Sequence, residues 1–194
     1  MAQMEIDEKA LWNKKYSERS HGSLDPDPFL VSAYEEFLSG NRPGNALDVA
    51  GGVGRHAIWL AQRGLRVKLL DVSEAGIKQA EQNAIRAGTA ASISTEIRDL
   101  NTMQDLGRDR YDLVLVFFFL QRDLFPALAT ALKPGGFLIY KTYTTEQKRF
   151  IGGPSHPMFL LEPNELLRAF PSLRVLHYHE TIQEKGVAEL VARR

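Results

Sequence analysis

One short stretch carries the chemistry of this chain: a carboxylate inside an apolar run, glycines just behind it, and a second carboxylate closing the next apolar run. Asp48 stands in Ala46-Leu47-Asp48-Val49-Ala50, Gly51, Gly52 and Gly54 follow, and Asp71 ends Leu65-Arg66-Val67-Lys68-Leu69-Leu70. Glycines let backbone approach a ligand that a Cβ would exclude. A carboxylate at the end of the second strand of such a unit can accept hydrogen bonds from a ribose diol. An unpaired carboxylate inside a strand is costly, and a cationic ligand group would offset that cost at Asp48. Together these residues outline a nucleotide-sized crevice.

The elements that must position them are legible from periodicity. Residues 7 to about 16 read as a helix bearing Leu11, Trp12 and Tyr16, broken by His21-Gly22-Ser23. Asp27 caps a second helix with Pro28 at its first position. Leu30, Ala33, Tyr34, Phe37 and Leu38 form its apolar stripe, and Gly40 ends it. Alternating strands and helices follow, with strands at residues 46–50, 66–70, 91–97, 111–117 and 137–142. One helix runs from Gly54 to about Arg63. Another starts at a Ser73 cap, turns Ile77, Ala80 and Ala84 inward and stops at Gly88. A third carries Leu124, Leu128, Ala131 and Leu132 and is closed by Lys133-Pro134-Gly135-Gly136. The fourth strand is continuously apolar, as a strand covered on both faces should be. Pro163 starts a short helix with Leu166, Leu167 and Phe170 on its apolar side. Strands at 173–179 and 187–192, joined through Glu184-Lys185-Gly186, are close enough in sequence only for antiparallel neighbours. The expected architecture is α/β: a three-layer sandwich whose seven-stranded, mostly parallel sheet ends in an antiparallel hairpin.

At 194 residues and 44% hydrophobic side chains, the chain can build one domain with a proper core. Basic and acidic residues balance at 24 each, so no basic field holds a long polyanion and nucleic acid is disfavoured as a partner. The chain has no cysteine, which removes disulfides, thiolate metal sites and cysteine nucleophiles together. Met1 to Glu5 lacks an apolar signal core, and the run Leu113 to Leu120 is too short to span a bilayer. A cytoplasmic protein without a membrane partner, monomeric or homodimeric, is expected. His177 and His179 share one face of a strand but lack a third ligand, so no metal is expected.

Asp48-x-Ala50-x-Gly52-x-Gly54, Asp71 and Leu132-Lys133-Pro134-Gly135-Gly136 resemble the motifs of class I S-adenosylmethionine-dependent methyltransferases, over residues 46–194. Ala50 stands where that family has its first motif glycine. Trp12-Asn13-Lys14-Lys15-Tyr16, Leu120-Gln121-Arg122-Asp123-Leu124-Phe125-Pro126 and Tyr140-Lys141-Thr142 are similar to the small tellurite-resistance-type methyltransferases. The resemblance implies S-adenosyl-L-methionine as cofactor and a small-molecule acceptor, with an oxyanion or a soft sulfur, selenium or tellurium nucleophile among the candidates. Residues 1–42 would form a helical cap over the site in a single methyltransferase domain. Asp48 would favour the cofactor's ammonium end, directly or through water, while Ala50 and the amides from Gly51 to Gly54 line its methionine part. Asp71 would bind the ribose hydroxyls, Val72 would pack on adenine, and Asp99, beside Leu100, would face the adenine amino group. Phe117 and Phe118 would form the far wall, with Trp12 and Tyr16 closing from the N-terminal helix.

Other readings stand beside these. Asp48 and Asp71 can serve as turn or helix-start residues, Asp99 as part of an Asp-Leu-Asn turn, Trp12 and Tyr16 as staples, and the Phe117-Phe118-Phe119 rings as core. Gly52-x-Gly54-x-x-Ala57 also satisfies a dinucleotide fingerprint, which keeps an NAD(P)-dependent oxidoreductase open. Asp48 beside a pyrophosphate and the closing hairpin argue against it. A non-catalytic, S-adenosylmethionine-binding regulatory module is the third reading.

Methyl transfer from a sulfonium is an in-line displacement from an activated donor. Holding donor and acceptor collinear can supply about 7–11 kcal/mol. A general base adds on the order of 10²–10⁴-fold, and only where the acceptor must lose a proton. The Asn/Asp-Pro-Pro-aromatic signature of enzymes methylating planar nitrogens is absent after the fourth strand, where Phe118-Phe119-Leu120-Gln121 stands. Candidate catalytic residues are Arg122, Tyr143, Arg149 and His156, the last three in a segment (143–161) whose glycines and prolines suit a lid-like loop. Arg122, Arg149 and His156 can bind an oxyanion by charge-assisted hydrogen bonds. Equally, Arg122 can form a salt bridge at a helix start, and Arg149 and His156 can be ordinary solvated loop residues.

Overall fold

The computed structural model describes residues 8–18, 23–40 and 44–194; position 7, where the first helix was expected to start, and the expected break at His21-Gly22 lie outside the described residues. Within them the chain forms α1 (Glu8–Ser17), α2 (Pro28–Phe37), β1 (Asn45–Val49), α3 (Arg55–Ala61), β2 (Arg66–Asp71), α4 (Glu74–Arg86) and β3 (Ile93–Ile97). There follow β4 (Tyr111–Phe117), α5 (Phe125–Ala131), β5 (Leu132–Tyr143), α6 (Glu165–Arg168), β6 (Arg174–Thr181) and β7 (Val187–Arg193). The anticipated caps form. The Asp27 carboxylate accepts from the Phe29 amide at 2.9 Å, and Ser73 Oγ accepts from the Gly76 amide at 3.0 Å.

The seven strands lie in the order β3-β2-β1-β4-β5-β7-β6. The first five are parallel, and β7 is antiparallel to both neighbours. Side chains alternate across the sheet, so it separates two apolar layers. On one face Leu47, Val49, Val114 and Val116 meet Leu128 of α5 and Leu166 of α6. On the other, Leu69, Leu113 and Leu115 meet Leu30 of α2, Ala57 of α3 and Ile77 of α4. Asp48 pairs in register with Leu69 and Leu115 and shares their face. That places a carboxylate in the middle of a leucine layer.

Four local expectations change. Residues 91–92 belong to a 3-10 turn (Ala90–Ser92), and β3 starts only at Ile93. Lys133 to Gly136 falls inside the span of β5 but bulges from its ladder: Leu132 pairs with Tyr111 and Phe137 with Leu113, and Gly135 between them holds φ +83°. Gly136 permits this, since a Cβ there would meet the carbonyl oxygens of Lys133 and Tyr111, both at 3.0 Å. Leu167 is exposed, because the four residues of α6 turn only Leu166 fully inward, with Phe170 buried just beyond. Segment 143–161 is tied down at several points. Buried Gln147 donates to the Gly152 carbonyl (2.8 Å) and accepts from the Gly186 amide (3.0 Å), and Thr144 bridges to Leu161. No helix among the described residues is long and apolar enough to cross a membrane.

Candidate functional site

Chain direction across the sheet reverses at β1, which lies between β2 and β4. In open α/β sheets that reversal leaves a crevice beyond the carboxyl ends of the strands. Here it holds about 1010 Å³ of space, open mouth included, walled by the ends of β1, β2, β3 and β4 and by α1.

Asp48 lies beneath the turn that follows β1. It is 1% exposed, and neither carboxylate oxygen has a hydrogen-bond partner. A Cβ on Gly51 would come within 2.8 Å of its Oδ2, so the turn packs directly onto the acid. Burial drives its pKa up to about 7, with the Arg55 charge and the nearby Ala57 amide pulling down and Asp71 adding to the rise. Asp48 therefore does not line the cleft; its field acts across Gly51.

Asp71 is spent on shaping. One oxygen accepts from the Gly52 amide and the other from the Ser73 amide, both at 2.8 Å, which ties the glycine turn to the start of α4. Burial raises its pKa against the pull of these amides. Each oxygen keeps a further lone pair, and Asp71 and Val72 both line the cleft. The glycine amides are not free donors: Gly51 donates to the Leu70 carbonyl and Gly54 to that of Gly51, each at 3.0 Å. The glycines supply room and positive φ at Gly52 (+55°) and Gly54 (+84°). Gly54 sits behind the cleft wall, where a Cβ would reach Ala80. Ala50, in the cleft wall, holds φ +55° as well, a conformation that costs an L-residue about 1–2 kcal/mol.

α1 lies across this end. Asn13 Oδ1 accepts from Ser73 Oγ (2.7 Å) and the Ala75 amide (3.1 Å), and Gln79 Nε2 donates to the Tyr16 carbonyl (2.7 Å). Tyr16 is buried over Gly52 and Gly76, stacks on Trp12 at 5.6 Å, and lines the cleft with it. It is staple and wall at once. Beyond β3, Asp99 and Leu100 line the cleft; Asp99 also accepts from the Asn101 amide at 2.9 Å, the anticipated Asp-Leu-Asn turn.

The far end contains residues that sequence reasoning missed. His56 Nε2 accepts from the Asp27 amide at 3.3 Å, and its ring lies 4.3 Å from that of Phe117. Burial, helped by the charges of Arg55 and Lys141, lowers its pKa to about 3, so it is neutral at physiological pH. Lys141, 14% exposed, pairs with Asp27 (2.9 Å) and Glu189 (3.0 Å). Burial pulls its pKa down, but the two carboxylates outweigh this and hold it raised. A charged residue in an apolar strand, the signal that marked Asp48, also marks Lys141. Phe118, at φ +56°, donates its amide to the Lys141 carbonyl at 2.7 Å and packs its ring on Tyr143 at 5.0 Å. Both non-glycine residues with positive φ at these strand ends, Ala50 and Phe118, thus border the cleft, where such strain tends to gather.

All four catalytic candidates fall outside the cleft lining, three of them held by other partners. Arg122 binds Glu165 through two nitrogens (2.5 and 2.8 Å) and donates to the Leu160 carbonyl (2.9 Å), the helix-start salt bridge. Arg149 pairs with Glu146 at the surface (2.7 Å), and His156 Nδ1 accepts from the Met158 amide (3.3 Å). Long-range and local partners have absorbed all three. Tyr143 is half-buried behind Phe118, its phenol pKa raised chiefly by burial.

This sheet order, crevice and closing hairpin constitute the class I S-adenosylmethionine-dependent methyltransferase fold. Residues 46–136 match the family described as a methyltransferase domain. The chain is 26% identical over 162 residues to a ubiquinone biosynthesis O-methyltransferase of Idiomarina loihiensis, covering 73% of this chain and 65% of the relative. A protein of the same name from Marinobacter nauticus is 30% identical over 139 residues, covering 66% of this chain and 55% of that one. The chain thus spans under two thirds of the length of either. Among solved structures, TehB from Haemophilus influenzae superimposes with a TM-score of 0.71 at 19% identity, covering 94% of this chain and 67% of TehB.

Proposed function

We propose that this chain is an S-adenosylmethionine-dependent methyltransferase acting on a small-molecule acceptor. The observation that carries the reading is Asp48: a fully buried carboxylate with no partner, pressed under a glycine turn that lines the cleft. A positive charge resting on that turn would stabilise the ionised acid across a low-dielectric gap. An ammonium group on an amino-acid tail fits; a pyrophosphate, the dinucleotide alternative, would repel it. Asp71 would take the ribose hydroxyls, Val72 and Leu100 would hold the adenine with Asp99 at its amino edge, and Trp12 and Tyr16 would cover the tail. Residues 1–42 would serve as the cap, through α1 and the Asp27 end of α2.

When bound, the cofactor supplies a methyl group already activated on sulfur. The protein's part is then alignment and exclusion of water, by α1 on one side and the Phe117-Phe118 wall on the other. Among the described residues at the far end, Asp27 and Glu189 are occupied by Lys141 and His56 Nε2 by a backbone amide, so none of them is a free base. An acceptor that is already anionic or soft needs no base, and we place an oxyanion or a sulfur, selenium or tellurium nucleophile first. The resemblance of Trp12 to Tyr16, Leu120 to Pro126 and Tyr140 to Thr142 to the tellurite-resistance-type methyltransferases supports the same class. Calorimetric titration with S-adenosylhomocysteine tests the reading: saturable binding at or below tens of micromolar is expected, and no binding in that range overturns it.

A further inference from the structure

The glycines of the turn offer no donor to one part of the proposed ligand. The amides of Gly51, Gly52 and Gly54 are spent on Leu70, Asp71 and Gly51, so they offer nothing to the carboxylate of an amino-acid tail. Arg55 follows that turn as the first residue of α3 and lines the cleft beside it. The other guanidinium in the lining, Arg98, is held by Glu96 at 2.6 Å, and Lys141 by Asp27 and Glu189. Arg55 is half-buried and has no ion-pair partner among the described residues. Its charge reaches Asp48 and Tyr16, yet Asp48 makes no hydrogen bond to it. Two opposite charges thus stand on either side of one turn and leave each other unpaired. A protein using Arg55 merely to neutralise Asp48 would bring them into contact.

We infer that Arg55 binds the α-carboxylate of the donor, so that Arg55 and Asp48 together read the two ends of an amino-acid zwitterion. The guanidinium presents a rigid fork of donors that matches a carboxylate's two oxygens. This rests on the proposed cofactor and adds a residue that turn and strand motifs do not include. It also means that the tail, beyond the nucleoside, sets donor affinity.

Two ligands that differ in the tail test it: S-adenosylhomocysteine, and 5′-deoxy-5′-methylthioadenosine, which lacks the amino acid. Binding of each is measured by calorimetry to the wild type, Arg55→Gln and Arg55→Lys. Arg55→Gln is expected to weaken S-adenosylhomocysteine at least tenfold and to leave methylthioadenosine within twofold, with Arg55→Lys in between. Unchanged S-adenosylhomocysteine affinity in Arg55→Gln overturns the inference, and so does equal weakening of both ligands, which marks a structural role. Failure of the wild type to bind either ligand sinks the cofactor reading itself; equal wild-type affinity for both sinks only the zwitterion reading.

Discussion

Asp48→Asn removes a charge while keeping the side chain's shape, and its two consequences have opposite signs. In the unfolded chain Asp48 loses its proton near pH 3.8, in the native protein near pH 7. Between those values the native state holds a proton that the unfolded state has released, so stability falls as pH rises, and the full penalty is present above pH 7. A climb of that size corresponds to about 4 kcal/mol. Asparagine escapes it but leaves an amide without partners in the same apolar layer, at about 1–3 kcal/mol. The variant without ligand is therefore expected to be more stable than the wild type by about 1–3 kcal/mol at pH 8 and to lose that advantage near pH 5. At this chain length each kcal/mol moves Tm by about 2–4 °C, so scanning calorimetry at the two pH values resolves the crossover. Donor binding moves the other way. Asp48→Asn should weaken S-adenosylhomocysteine about 10- to 100-fold at pH 8, where each decade is about 1.4 kcal/mol. A Tm difference that stays flat from pH 5 to 8, together with unchanged affinity, would refute the account of this carboxylate.

Gly52→Ala forces a Cβ into the Tyr16 hydroxyl and imposes φ +55° on an L-residue. It should displace α1, seen as faster proteolysis within residues 8–18, and abolish S-adenosylhomocysteine binding; intact binding with unchanged proteolysis would show that α1 does not rest on the turn. Arg122→Ala should lower stability to urea by about 1–3 kcal/mol, since two charged hydrogen bonds to Glu165 are lost. Its S-adenosylhomocysteine affinity should be unchanged, and a tenfold loss would return Arg122 to the site.

The fold was legible because its strands and caps are written locally. Tyr111 to Phe117 is apolar throughout and forms β4 over that span, and Ser73 and Asp27 cap the helices that follow them. What was illegible depends on partners distant in sequence. Arg122 looks like an anion-binding residue until Glu165, 43 positions on, takes it. Lys133 to Gly136 reads as a turn, and only the close approach of the Tyr111 carbonyl shows that it stays against β4 as a bulge. In the site, the glycines were recognised but their role was not: the turn's hydrogen bonds close on Leu70 and Asp71, which only the folded geometry reveals. Lys141 and His56 were passed over because a motif reading weighs acids and glycines and does not see that Asp27 meets both.

The position of β7 bears on how the molecule is made. It is the last strand in sequence, yet it lies inside the sheet, with β5 on one side and β6 on the other. While the chain emerges from the ribosome, β5 must wait as an unpaired edge, and β6 has no neighbour to join until some ten residues later, when β7 closes both ladders. Bare edges of that kind invite pairing with other nascent chains. Protection from hydrogen exchange of those β5 amides that point to β7 should accordingly appear late in refolding, together with that of β6 and after that of the β5 amides that point to β4.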